Sequence, residues 1–464
     1  MDWNQKTRDG ETLLQLALKK SKDSFEMIRL LIDAKVDPKY KDKNDSNYFH
    51  HLCKEDKEDF SEIADLLIQH CDINAVEVIN KSTPLMEAIY FVRNPFSIKK
   101  LLELKADPNL KNSDGSNSVQ LLMENANIQT LEFLIEHKAK LNILNQDSQN
   151  LLQILLKSES VVSVELVKML VEQIPLNLKF QDMYGCTALT LAIINEKVSD
   201  EVIEYLIKKD SSVLGIPEHS KRAFPIHFAA TRKSVSNRLL KTMIEYKSDP
   251  NAENSNEDTP LHFLSNTRFV TIENLRTFIE NGFDIKKKNA SGRSILHSIC
   301  NNSISTPEMF EYLIEKQCDV NLRAYNDYPL HLLSRVYTCN PLSLELLLNA
   351  KADPNLLDNS GQSPVFLLYG DDQPRIECLK ILVKHKADLN IKDCSKNTVL
   401  HQSIKNREKV ALIGALILNK ASVDILNGKD KPPLYYCCNQ RYANKYTRLL
   451  VANGADPYRI VPNV

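Results

Sequence analysis

The feature that most constrains this chain is self-similarity. An apolar residue in a Thr/Ser-Pro-Leu-His-like context recurs at Leu14, Phe49, Leu85, Val119, Leu152, Leu189, Ile226, Leu261, Leu296, Leu330, Val365, Leu400 and Leu434. The thirteen copies are spaced by 33 to 37 residues, with a mean of 35. A period of this length denotes one supersecondary motif that cannot bury its apolar face alone and must stack on its neighbours. The whole chain, residues 1–464, therefore reads as one array, although its length alone would suggest several domains.

Two signatures recur in register. The first is clearest in Thr83-Pro84-Leu85-Met86, Thr259-Pro260-Leu261-His262 and Tyr328-Pro329-Leu330-His331. About 21 residues later comes a second, as in Leu101-Leu102-Glu103-Leu104-Lys105-Ala106-Asp107-Pro108-Asn109 and Leu347-Leu348-Asn349-Ala350-Lys351-Ala352-Asp353-Pro354-Asn355. Together they resemble the ankyrin repeat, over essentially residues 4 to 460. The resemblance implies an all-α solenoid in which each repeat is a β-turn finger, a helix, a loop and a second helix, stacked into a curved array. Tetratricopeptide repeats have a similar period, but their aromatic pattern does not fit a chain with one Trp.

The signature residues have physical tasks. Thr83 and Thr259 are expected N-caps, and Pro84 and Pro260 suit the first helical position, where a missing N–H costs nothing. Thr306-Pro307-Glu308, Asn340-Pro341 and Gln373-Pro374 mark comparable starts of second helices. Apolar stripes such as Ile28, Leu30, Leu31 and Phe310, Leu313, Ile314 should face the stack. His50, His227, His262, His297, His331 and His401 occupy one position of the repeat. At one per repeat they should lie about 10 Å apart, too far to share a metal ion. The resemblance implies a structural, hydrogen-bonding role for them.

Glycine is scarce, 11 in 464 residues. At the helix-end position, where the family carries a left-handed Gly, this chain has Lys35, Lys105, Lys138, Lys247, Lys351, Lys386 and Lys420, with Gly only at Gly282 and Gly454. Gly10, Gly115, Gly185, Gly292 and Gly361 fall at the finger turn. The loops between the two helices of a repeat are about two residues longer than the family pattern, as in residues 265–271 and 368–374. They form an expected second interaction edge. Residues 210–224 break the pattern and are the expected site of a bend or register change.

Composition excludes several function classes. Lys and Arg number 59 against 60 Asp and Glu, which argues against a dedicated nucleic-acid binder. The run Lys286-Lys287-Lys288 reads as a solvated face. No signal peptide, membrane-spanning run or lipidation motif is recognisable, and ten cysteines lack C-x-x-C spacing. The expectation is a monomeric cytoplasmic protein with reduced thiols, the nucleus being the other compartment open to it. Nucleotide-binding, hydrolase, metalloprotease and kinase signatures are missing, so we expect no catalytic, metal or cofactor site.

What the resemblance implies is protein binding, through the fingers and the concave helix face. Aromatics at finger positions are the expected anchors: Tyr40, Phe180, Tyr184, Tyr325 and Tyr328. The reading is a non-catalytic scaffold or adaptor. The alternative is the target-recognition arm of a ubiquitin-ligase complex or pathogen effector. No ligase-recruiting box follows Pro457, so in that case recruitment is expected to use the array itself.

Overall fold

The computed structural model describes the chain outside residues 1–5, 8–10, 21–24, 35, 38, 93, 125–126, 234–235, 337–338, 369–372, 407, 409, 438–442 and 461–464. Among the described residues there are thirteen helix pairs, from Leu13–Lys20 and Phe25–Asp33 to Pro433–Cys437 and Ala443–Ala452. No strand is present among them. The only sheet-like feature is an isolated bridge between Ala324 and Asp327. Three first helices depart from α geometry. In repeat three the segment continues as a π-helix over Ala88–Val92, while Pro364–Leu367 and Pro433–Cys437 are 3₁₀ turns.

The helix starts follow the sequence. Thr83 accepts a hydrogen bond from the Met86 amide and is followed by Pro84 at the first helical position. Pro260, Pro307 and Pro341 take the same place behind Thr259, Thr306 and Asn340. The second-helix stripes are buried at Ile28, Phe310 and Leu313. Leu30 departs from its expected place in the stripe: it lies on the solvent face. Its position two residues from Ile28 puts it on the opposite side of a 3.6-residue turn.

Helix ends carry the expected backbone. Lys105, Lys138, Lys247, Lys351, Lys386 and Lys420 have φ between 63° and 70°, and Gly282 and Gly454 have φ of 88° and 90°. Gln317 takes this position in repeat nine at φ 60°. Lys35 and Gly10 lie outside the described residues. In repeat six the position is lost: Asp210 is extended at φ −150°, and a 3₁₀ turn, Ser211–Gly215, follows.

A second left-handed position recurs in the finger, four residues before the signature apolar residue. It is filled by Gly115, Gly185, Gly292 and Gly361, but equally by Asp45, Lys81, Ser148, Arg222, Glu257, Lys396 and Asp430. Glycine is required only where the next finger presses close. A β-carbon on Gly185 would lie 2.4 Å from the His219 nitrogen, and one on Gly361 2.9 Å from the Cys394 nitrogen.

The chain divides into two compact units, Met1–Ser220 with repeats one to six and Lys221–Val464 with the helix pairs of repeats seven to thirteen. Within each, side chains tie neighbouring repeats. The Asn at the end of the second signature bridges to the next helix end. Asn74 donates to the Lys105 carbonyl and accepts from the Asp107 amide; Asn109 does so at Lys138 and Lys140. In the second unit Asn251, Asn321 and Asn355 make the same pair of bonds. Loop residues also cap the preceding repeat's first helix: Asn195 donates to the Leu156 and Ser158 carbonyls, and Asn302 to those of Ser265 and Thr267.

Candidate protein-interaction site

Most fingers are built alike. An Asp or Asn accepts from the amides two and four residues on, as Asn112 does from Asp114 and Ser116 and Asp358 from Ser360 and Gln362. This side-chain turn holds the left-handed residue in place. Successive fingers are then joined tip to tip by one main-chain bond. Ser113 donates to Asn80, Met183 to Asp147 and His219 to Tyr184 in the first unit. Ser255 to Lys221, Ala290 to Asn256, Cys394 to Ser360 and Gly428 to Ser395 continue the pattern in the second.

Finger ten departs furthest from this pattern. It carries Arg323 where the turn-forming Asp or Asn belongs. Ala324, whose amide would otherwise reach the preceding finger, instead exchanges both main-chain bonds with Asp327, at 3.0 and 2.8 Å. Tyr325 at the tip of this two-residue turn is left-handed at φ 42° and 79% exposed. Positive φ in a bulky aromatic is an outlier, and strain of this kind gathers at functional sites. No main-chain bond joins finger ten to fingers nine or eleven among the described residues. Side chains connect it to finger eleven: Arg323 donates to Asn359 at 2.7 Å, and Asn359 donates to Asn326.

The expected aromatic anchors separate into two groups. Tyr325 and Tyr184, the latter 54% exposed beside exposed Met183, project from tips. Tyr40, Phe180 and Tyr328 are half-buried. The Tyr40 ring lies 6.2 Å from that of Tyr48, with the Lys6 ammonium 4.7 Å from its centre. Tyr328 packs 5.4 Å from the His331 ring, under the Arg323 guanidinium. Sequence reasoning passed over other exposed apolar groups: Val76, Val78 and Ile79 on finger three, and Tyr90, Phe91 and Phe96 at the interhelix edge of the same repeat. The adjacent Val78-Ile79 in a turn context was the available signal for the first group.

The six signature histidines are buried and span consecutive repeats. Nε2 of His50, His227, His262, His297, His331 and His401 lies 2.9–3.1 Å from a main-chain carbonyl of the following repeat. In His227, His262, His297 and His401, Nδ1 accepts the amide N–H of the N-cap residue. These partners fix the neutral Nε2–H tautomer. Burial pushes all six below the ordinary histidine range, His297 down to about 4. Such groups are neutral imidazoles that donate Nε2–H structurally, unsuited to proton transfer near neutrality. His331 differs: its Nδ1 is buried without a hydrogen-bond partner, although His227 behind an equally aromatic N-cap, Phe224, keeps the main-chain amide as its donor.

No group of three His, Cys, Asp or Glu side chains is placed to hold a metal ion among the described residues. None of their helices is long and apolar enough to cross a membrane.

Helix pairs in register, left-handed helix ends and a histidine reaching the next repeat define an ankyrin-type solenoid. The family model for ankyrin repeats (3 copies) matches residues 14–112, 119–215, 226–324 and 330–425, and the chain belongs to that family. Among solved structures, the ankyrin repeat domain of Bcl-3, a unique member of the IkappaB protein family, is similar at 20% identity. That alignment covers 50% of this chain and 100% of the other, with a TM-score of 0.41. No curated protein matches the chain. Ankyrin repeats are generally protein–protein interaction modules and typically non-catalytic.

Proposed function

We propose that this protein is a non-catalytic scaffold or adaptor whose second unit engages a partner protein through finger ten, with Tyr325 as the central anchor. The observation that carries this is the strained, exposed Tyr325 on the one finger of that unit that departs from the shared turn. A tyrosine offers large contact area at small entropic cost, and a left-handed backbone thrusts the ring away from its own finger. Tyr184 and Met183 on finger six supply a second contact in the first unit. The half-buried Tyr40, Phe180 and Tyr328 shape their fingers by packing.

The test separates strain from packing. Tyr325→Gly removes the ring and also relieves the left-handed backbone, so it should leave the melting temperature equal or higher while depleting captured proteins. Affinity capture from the native cell, quantified for wild type and Tyr325→Gly, reads this directly. An unchanged set of captured proteins refutes Tyr325 as an anchor. A lowered melting temperature shows instead that the ring packs within the fold. Recurrent ligase subunits among the Tyr325-dependent proteins would move the assignment from adaptor to the recognition arm of a ligase complex.

A further inference from the structure

Repeats ten and eleven hold a pair of thiols that the proposed partner binding does not use. Cys339 lies in the loop between Pro329–Arg335 and Pro341–Asn349, and Cys378 lies 39 positions later on the helix Gln373–Lys384. Both are buried, and their sulfurs are 3.4 Å apart, inside van der Waals contact. Other cysteines of the array, such as Cys53 and Cys437, fill the small-residue slots of the repeat one at a time. Here two repeats each present a sulfur to the same point.

A cation stands beside them. Arg375, one helical turn before Cys378, is 2% exposed, and its guanidinium donates to the Ser334 and Val336 carbonyls at 2.7 and 2.8 Å. The Asn195 and Asn302 amides do the same capping in other repeats without carrying charge. Capping therefore does not demand an arginine here. A buried positive charge near thiols favours their thiolate form and thus their oxidation. Opposing this, the neighbouring thiol and burial hold Cys378 protonated well above the ordinary range. Reaction is accordingly confined to sustained oxidant exposure.

We propose that Cys339 and Cys378 form a reversible disulfide that staples repeat ten to repeat eleven when the protein meets a peroxide. One thiolate attacks the peroxide oxygen, giving a sulfenic acid and releasing water. The second thiol then displaces a second water to form the S–S bond, so that two thiols and one hydrogen peroxide yield a disulfide and two waters. Closure from contact distance to a bond of about 2.05 Å requires a shift of roughly 1.4 Å, and Cys339 can supply it because it sits in a loop rather than a helix. The link ties together two repeats whose fingers lack the usual main-chain bond.

The experiment uses the full chain with exposed Cys394 replaced by Ser, treated with hydrogen peroxide in the folded state. Residual thiols are then alkylated in denaturant, and the digest is mapped by mass spectrometry. The expected result is a loss of two hydrogens, a Cys339–Cys378 linked peptide, reversal by dithiothreitol, and a melting transition raised by roughly 5–10 °C. Cys339→Ala and Cys378→Ala should each abolish both the link and the shift, with circular dichroism confirming that the variants fold. Recovery of both thiols fully alkylated overturns the proposal, as does oxidation to sulfinate without a link or pairing with buried Cys300 instead.

Discussion

Replacing Lys351 and Lys386 by glycine should stabilise the second unit. Both residues are left-handed, at φ 69° and 66°, a region where a β-carbon costs about 1–2 kcal/mol. Their main-chain bonds survive the change. The Lys351 amide donates to Leu348 at 3.0 Å and its carbonyl accepts from Asn321 at 2.9 Å. For Lys386 the partners are Val383 at 2.9 Å and Asn355 at 3.0 Å. Against the relief stands the larger freedom of glycine in the unfolded chain, about 0.5–1 kcal/mol. The net gain is about 0.5–1 kcal/mol per site and about 1–2 kcal/mol for the double variant, if sites one repeat apart are close to additive. At about 2–4 °C per kcal/mol for a unit of this size, the double variant should melt several degrees higher. Urea and thermal melts of the full chain, followed through the transition of the second unit, measure it. Lys351→Ala is the decisive control, because alanine removes the charge but keeps the β-carbon. If Ala stabilises as much as Gly, side-chain charge rather than backbone strain is responsible, and the reasoning fails. It fails equally if Gly brings no gain.

His297 should make stability fall in mild acid. Its folded pKa of about 4 lies below the unfolded value near 6.5, so its contribution is complete above pH 6.5 and is lost as pH drops toward 4, amounting to about 2 kcal/mol at pH 5. His297→Gln should flatten that part of the pH profile while keeping both bonds, as Gln153 does in repeat five by accepting from the Asn150 amide and donating to the Cys186 carbonyl; equal urea midpoint shifts between pH 7 and 5 in both proteins would count against it. Asn355→Ala should cost about 1–2 kcal/mol, since it removes the donor to Lys386 and the acceptor for Asp388 together. A melting temperature within error of wild type would show that water replaces both bonds.

What could be read in advance follows from what repetition preserves. The period, the proline-led helix starts and the left-handed lysines are one-position properties repeated many times, so the residues state them even where one copy is degenerate. Capping of the first helix by Asn195, Asn302 or Arg375 was not legible, because the donors stand at different places, two just past a first helix and one in the first turn of a second, and each reaches a carbonyl 35 to 41 positions away. The seven non-glycine residues at the finger turn were missed for a different reason. Glycine is demanded at a left-handed site only where a neighbour crowds the β-carbon, as at Gly185 and Gly361, and elsewhere an Asp, Asn or Glu turn holds other side chains there. Exposure of individual aromatics was beyond the sequence for the same reason that Leu30 was misplaced: one residue of phase decides the face.

Four kinds of bond link neighbouring repeats, and their pattern bears on why finger ten can be strained. Its repeat keeps three of them. His331 reaches the Gln362 carbonyl at 2.9 Å, Asn321 bridges to Lys351 and Asp353, and Arg375 caps the Ser334 and Val336 carbonyls. Only the tip-to-tip bond is missing, and with it the capping partner of His331 Nδ1. The base of finger ten is therefore fixed as firmly as any other, while its tip is held through the side chains of Arg323, Asn326 and Asn359. A left-handed tyrosine persists when the surrounding structure over-determines it, which the base does. On the proposed function, the irregular tip rather than the fixed base is the part that a partner engages. This predicts that partner binding and restoration of a regular finger compete. Inserting one residue and placing Asp at the turn position should join finger ten to its neighbours, stabilise the unit and weaken capture together. Gain of stability with undiminished capture would show that the irregular turn serves no binding role.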